Sequence, residues 1–184
     1  GGDPPAGGGG KENVAYIKIS HFNEDTAEGF EQAGRAVVAK NPDGLILDLR
    51  NNPGGFLDTA VRVASEWVKE GTIVIEKFSD GRQESYLRNG RARLAGIKTI
   101  VLVNQGSASA SEILAGALKD LRSAKSVGEK SFGKGTVQEL IPLIDGSELK
   151  ITVANWLRPS GETIEKKGIT PDYEVKMTEE DVKA

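Results

Sequence analysis

Short apolar runs and amphipathic stretches alternate along this chain. The run Val14-Ala15-Tyr16-Ile17-Lys18-Ile19-Ser20-His21-Phe22 alternates in part and predicts a strand. Asn23 then reads as a helix cap, and Ala27, Phe30, Ala33, Val37 and Val38 recur at helical spacing as far as Lys40. Asn41-Pro42-Asp43-Gly44 breaks that helix, and Leu45 to Leu49 is a short apolar strand. The loop Arg50-Asn51-Asn52-Pro53-Gly54-Gly55 leads into a helix from about Leu57 to Lys69. Thr72 to Phe78 and Glu84 to Leu87, joined by a turn at 79–82, form a hairpin. Thr99 to Val103 is a further buried strand. It runs into a helix whose apolar stripe is Ile113, Leu114, Ala117, Leu118 and Leu121. Val137 to Ile144 and Leu149 to Trp156, turning at Asp145-Gly146, close the pattern as strands. The alternation predicts an α/β domain with a mostly parallel sheet, ending in antiparallel strands.

Composition narrows the chemistry. Residues 1–13, GGDPPAGGGGKEN, read as a flexible glycine-rich stub or linker, which leaves 14–184 as a single domain. A net charge of −3 provides no basic field for nucleic acid. No apolar run approaches the roughly 20 residues of a membrane span. With zero cysteines, disulfides, thiolate metal sites and a cysteine nucleophile are excluded. His21 is the single histidine, so zinc or a histidine triad has little to work with. Strong chemistry must come from Ser, Lys, Asp, Glu or backbone groups.

Two segments carry candidate chemistry. GEKSFGKGTVQ, 128–138, comes within one residue of a phosphate-binding loop, but Gly135 stands where that loop needs Ser or Thr. The β-prone VQELIPLI also follows where a helix is required, so nucleotide binding is rejected. Lys134 needs a partner to be more than a solvated lysine between glycines. GSASASE, 106–112, offers one, where a buried strand meets a helix whose first amides can hold negative charge. Lysine can replace histidine as the base for a serine when burial lowers its pKa. Helix capping is the bland alternative for these serines; it suits Ser111 best and could account for any one of them.

VLVNQGSASASEILAGALKD followed by GEKSFGKGTVQ resembles the signature of the carboxyl-terminal processing proteases, the tail-specific serine peptidases of family S41. DLRNNPGG at 48–55, LRPSGETI at 157–164 and KGITPD at 167–172 agree with it in order and spacing. The resemblance implies a ClpP/crotonase-like core of ββα units. It makes Ser109 the nucleophile, Lys134 the general base and Gln138 the residue that orients the lysine. The amides of Gly55 and Ala110 become the oxyanion hole. Glu112 resembles an acidic residue that supports the site in some members, although a helix-start glutamate explains it equally well. Arg50 is expected either to brace its loop through Asp48 or another carboxylate, or to be solvated. No metal, nucleotide or organic cofactor is implied.

The implied substrates are proteins or peptides with exposed, small apolar C-termini, and the implied location is extracytoplasmic, in the periplasm or cell envelope. Family members usually carry a PDZ domain near the N-terminus of the protease region. No such domain is expected in 14–184, nor the C-terminal extension on which many members dimerise, though a homo-oligomer is compatible with the resemblance. Two rival readings accompany it. One is an inactive or PDZ-dependent binding module of the same fold; with 5% aromatic residues it has no obvious apolar lining for a retinoid-sized ligand. The other is a hydrolase based on His21. The basic stretch Arg88 to Leu94 reads as a solvated loop or part of a substrate lid.

Overall fold

Parallel neighbours need crossovers, and amphipathic helices supply most of them here. The computed structural model describes residues 13–178 and 181, so the glycine-rich stub lies outside the described residues except for Asn13. In chain order the elements are β1 (Val14–Lys18), α1 (Thr26–Lys40), β2 (Gly44–Asp48), α2 (Leu57–Ala64), β3 (Thr72–Phe78) and β4 (Gln83–Leu87). They continue with β5 (Thr99–Val103), α3 (Ala110–Arg122), β6 (Lys125–Gly128), β7 (Thr136–Pro142), β8 (Glu148–Leu157) and β9 (Tyr173–Glu174). Strands β1-β2-β5-β6-β9 form one sheet, parallel throughout. Strands β4-β3-β8-β7 form a second, antiparallel sheet. The α/β class, with a parallel sheet and antiparallel C-terminal strands, is as the sequence implies.

Alternation along the parallel strands separates two faces. Leu45 and Leu47 of β2 and Val101 and Val103 of β5 are buried, in one core with Phe30 and Val37 of α1 and Ile113, Leu114, Ala117 and Leu118 of α3. Tyr16 and Ile100, on the opposite face, remain exposed. The register Ile46↔Ile100 and Asp48↔Leu102 brings the ends of β2 and β5 side by side. The loops that leave them therefore run together, at the carboxyl edge of the sheet where α/β folds place their sites.

Several boundaries differ from the sequence expectation. Helix α2 stops at Ala64 rather than near Lys69. The Ser65 hydroxyl donates to the Val61 carbonyl at 2.6 Å, and Glu66 and Trp67 bond three residues back, which tightens the chain out of the α-helix. Helix α1 starts at Thr26, with Asn23 Oδ1 accepting the Thr26 N–H at 3.0 Å. Strands β6 and β9 have four and two residues, too short for a periodic signal. The Arg88–Leu94 segment is pinned at its end, while Asn89 and Arg91 stay exposed as a solvated loop predicts. Leu94 is fully buried, and Arg93 pairs with Glu66 and Glu31, each at 3.1 Å.

Candidate active site

The corner between β5 and α3 is held by its own side chains. Asn104 Oδ1 accepts the Gly106 N–H at 3.0 Å and the Asn51 N–H at 2.8 Å. The Ser107 hydroxyl donates to the Leu49 carbonyl at 2.8 Å. The Ser111 hydroxyl donates to the Asn52 carbonyl at 2.8 Å, which also accepts the Ala108 N–H at 3.0 Å. Asn52 is fully buried; its amide donates to the Ile19 carbonyl and its Oδ1 accepts the Gly54 N–H at 2.9 Å. The outer two serines thus bolt the 50–55 loop to the corner. Ser111 is not the helix cap, contrary to the capping expectation; Ser109 holds that position. Its hydroxyl makes no hydrogen bond to another side chain among the described residues. The Ser109 backbone has φ +57 and ψ −116, a conformation that non-glycine residues rarely adopt and that persists only when neighbours enforce it.

Glu112 is the enforcing neighbour. Its carboxylate is wholly buried at the first turn of α3 and accepts four hydrogen bonds. Oε2 takes the N–H groups of Ser109 and Lys134, each at 2.9 Å. Oε1 takes the Ser131 hydroxyl at 2.5 Å and the Gly133 N–H at 2.6 Å. A buried carboxylate is tolerated when its lone pairs are filled, and here the filling draws two separate segments together. The Lys134 loop is also tied to the chain near 165. Lys166 N–H donates to the Gly133 carbonyl at 2.9 Å, and Gly135 N–H donates to Glu165 Oε2 at 3.0 Å.

The remaining site residues fall around this pair of segments. The Lys134 side chain is exposed rather than buried as the sequence reading expects of a serine's base, and its terminal nitrogen makes no hydrogen bond or ion pair among the described residues. Gln138 lies exposed on β7, opposite Thr152, just after a register shift at Val137/Gln138. Among the described residues, no acceptor is taken by the N–H of Gly55 or of Ala110, the first residue of α3. Gly55, at φ +142, bridges Phe22, while Gly54, at φ +102, packs against the corner. A Cβ on Gly54 would stand 2.8 Å from the Ser109 Cβ and 3.0 Å from the Ala110 nitrogen. The close approach therefore needs glycine.

A protein-family model described as peptidase family S41 matches residues 13–175. The chain belongs to peptidase family S41. It is 46% identical over 166 residues to the carboxyl-terminal-processing protease of Synechocystis, covering 90% of this chain and 39% of that protein. It is 42% identical to the carboxy-terminal processing protease CtpB of Bacillus subtilis, covering 90% of this chain and 34% of that one. Among solved structures, the photosystem II D1 C-terminal processing protease superposes with a TM-score of 0.86 at 39% identity. That match covers 94% of this chain and 44% of the other. The chain thus spans less than half the length of these relatives.

In this family member the Arg50 question resolves in favour of Asp48. Asp48 is fully buried; its Oδ1 accepts the Arg50 N–H and Nε, and its Oδ2 accepts Arg50 at 2.7 Å and the Tyr16 hydroxyl at 2.7 Å. Burial pushes the Asp48 carboxyl up, but the hydrogen bonds from Arg50 and Tyr16 and the guanidinium charge outweigh it, holding its pKa below the ordinary value. The same bond to Asp48 raises the Tyr16 pKa. His21 is exposed, its carbonyl accepting the Thr26 hydroxyl at 3.0 Å and its ring unbonded among the described residues. Sequence reasoning missed Asn52, Tyr16 and Ser131. Asn52, inside DLRNNPGG, and Ser131, inside GEKSFGKG, lie within the quoted motifs but carry no role there.

Proposed function

We propose that the chain is the catalytic core of a serine endopeptidase that cleaves proteins near their C-terminus. Ser109 is the nucleophile. Lys134 takes its proton as the hydroxyl oxygen attacks the scissile carbonyl, then protonates the leaving amine, and water hydrolyses the acyl-enzyme. Gln138 orients the lysine amine. The N–H groups of Gly55 and Ala110 receive the oxyanion, each such donor contributing roughly 3 kcal/mol of transition-state stabilisation. The observation that carries the reading is the shared Glu112 oxygen, which draws the Ser109 and Lys134 backbones onto one atom. The unspent N–H groups of Ala110, next to Ser109 in the chain, and of Gly55, next to the Gly54 that packs against Ser109, support the oxyanion assignment. No cofactor enters the scheme. Substrates are polypeptides ending in small apolar residues, met outside the cytoplasm, and a homo-oligomer fits the scheme.

A second reading follows from the exposed, unbonded Lys134 side chain. On it, the core holds the backbone frame, and a further part of a longer polypeptide, such as a PDZ domain, seats the lysine against Ser109. Cleavage of a disordered protein by this chain, compared with the same reaction after adding that part in trans, separates the two. Activity of the chain alone supports the first reading and overturns the second.

A further inference from the structure

The Glu112 carboxylate receives three of its four hydrogen bonds from backbone N–H groups, which no side-chain substitution removes directly. The fourth comes from Ser131, a residue that is 5% exposed and has no place in the chemistry proposed above. Its hydroxyl sits between two short contacts. It donates to Glu112 Oε1 at 2.5 Å and accepts the Ile169 N–H at 2.6 Å. The backbones of the two residues are joined as well, Ser131 N–H donating to the Ile169 carbonyl at 3.1 Å. Gly168, at φ +60, allows this approach, because a Cβ there would stand 2.9 Å from the Ser131 hydroxyl oxygen. Ile169 itself is 1% exposed and belongs to the core that includes α3.

We infer that Ser131 is a positioning residue for catalysis: its hydroxyl links the buried turn at 168–169 to the Glu112 carboxylate, and through it sets the Ser109 and Lys134 backbones. The inference rests on the Ser109–Lys134 reading. A charge-assisted O–H donor to a buried carboxylate is among the stronger hydrogen bonds, and removing it leaves both the carboxylate and the Ile169 N–H short of a partner. The loss falls on the placement of the nucleophile and base rather than on substrate contacts, so kcat should fall with KM unchanged. Threonine keeps the hydroxyl and alanine does not.

The test is the rate at which a fluorophosphonate probe labels the 184-residue chain, measured with melting temperature for the parent and for Ser131→Ala, Ser131→Thr and Ser109→Ala. Labelling should slow in Ser131→Ala by on the order of tenfold at temperatures where the variant is folded, as expected for loss of one charged hydrogen bond. It should recover in Ser131→Thr. Equal labelling of the parent and Ser131→Ala would overturn the inference, as would slowing that only follows the fraction unfolded. Undiminished labelling of Ser109→Ala would instead overturn the Ser109 reading, and the Ser131 role with it.

Discussion

The backbone N–H groups of Ser109 and Lys134 donate to the same atom, Glu112 Oε2, each at 2.9 Å. One carboxylate therefore sets the relative position of a serine at a helix cap and a lysine on a glycine-flanked loop. Replacing Glu112 by Gln puts an amide N–H where donors already point. Glu112→Gln should lower stability by about 2–3 kcal/mol, the cost of leaving buried donors unmatched. Peptide cleavage should fall at least tenfold, by about 1.4 kcal/mol or more in barrier. Denaturant melts and initial rates measure the two together; unchanged rates would remove Glu112 from the site.

The three serines of GSASASE should separate by function. Ser107→Ala and Ser111→Ala each delete a buried hydroxyl that bonds a loop carbonyl, and should cost about 1 kcal/mol of stability. Ser109→Ala removes the N-cap hydroxyl of α3, so it should also cost about 1 kcal/mol, but it alone of the three should abolish cleavage. Differential scanning calorimetry with a cleavage assay on all three distinguishes bolt from nucleophile.

Gly54→Ala should be damaging out of proportion to its one added carbon. The backbone stands at φ +102 and the new Cβ would meet the Ser109 Cβ at 2.8 Å. Backbone strain alone costs about 1–3 kcal/mol. The loop must also move away from Ser109, carrying the Gly55 N–H with it. A fall in kcat larger than the change in KM is the expected kinetic signature.

Asp48 gives the fold an acid-sensitive brace. Its folded pKa is depressed by Arg50 and Tyr16 against the opposing effect of burial. Its contribution to stability is thus fully present above the unfolded value near ~3.9 and is lost as pH falls through the lower folded value. Asp48→Asn should cost about 2 kcal/mol at neutral pH. Urea melts from pH 6 downward should show the gap between parent and variant closing only below pH ~4. A gap independent of pH would contradict the assignment.

Much of this was legible in the sequence, for identifiable reasons. Strands such as Leu45 to Leu49 and the Ile113-to-Leu121 stripe were readable because burial on one face leaves a periodic trace. The roles suggested for Ser109, Lys134, Gln138, Gly55 and Ala110 came from family resemblance, and the geometry around Glu112 is an independent ground for placing Ser109 beside Lys134. The Ser111 cap was misread because Ser109 and Ser111 both sit at the start of the helix; only the contact with Asn52 separates them. The roles of Asn52, Tyr16 and Ser131 were not legible because the partners that define them lie between 19 and 38 residues away in sequence. A polar side chain whose partner is distant leaves no local pattern.

The most direct measurement is hydrolysis of an unstructured protein with a free Val-Ala-Ala C-terminus by the 184-residue chain, alongside Ser109→Ala and Lys134→Ala, all shown folded by circular dichroism. The expected result is cleavage by the parent, lost in both variants and retained in His21→Ala. Cleavage that survives Lys134→Ala but not His21→Ala would contradict the account and make histidine the base.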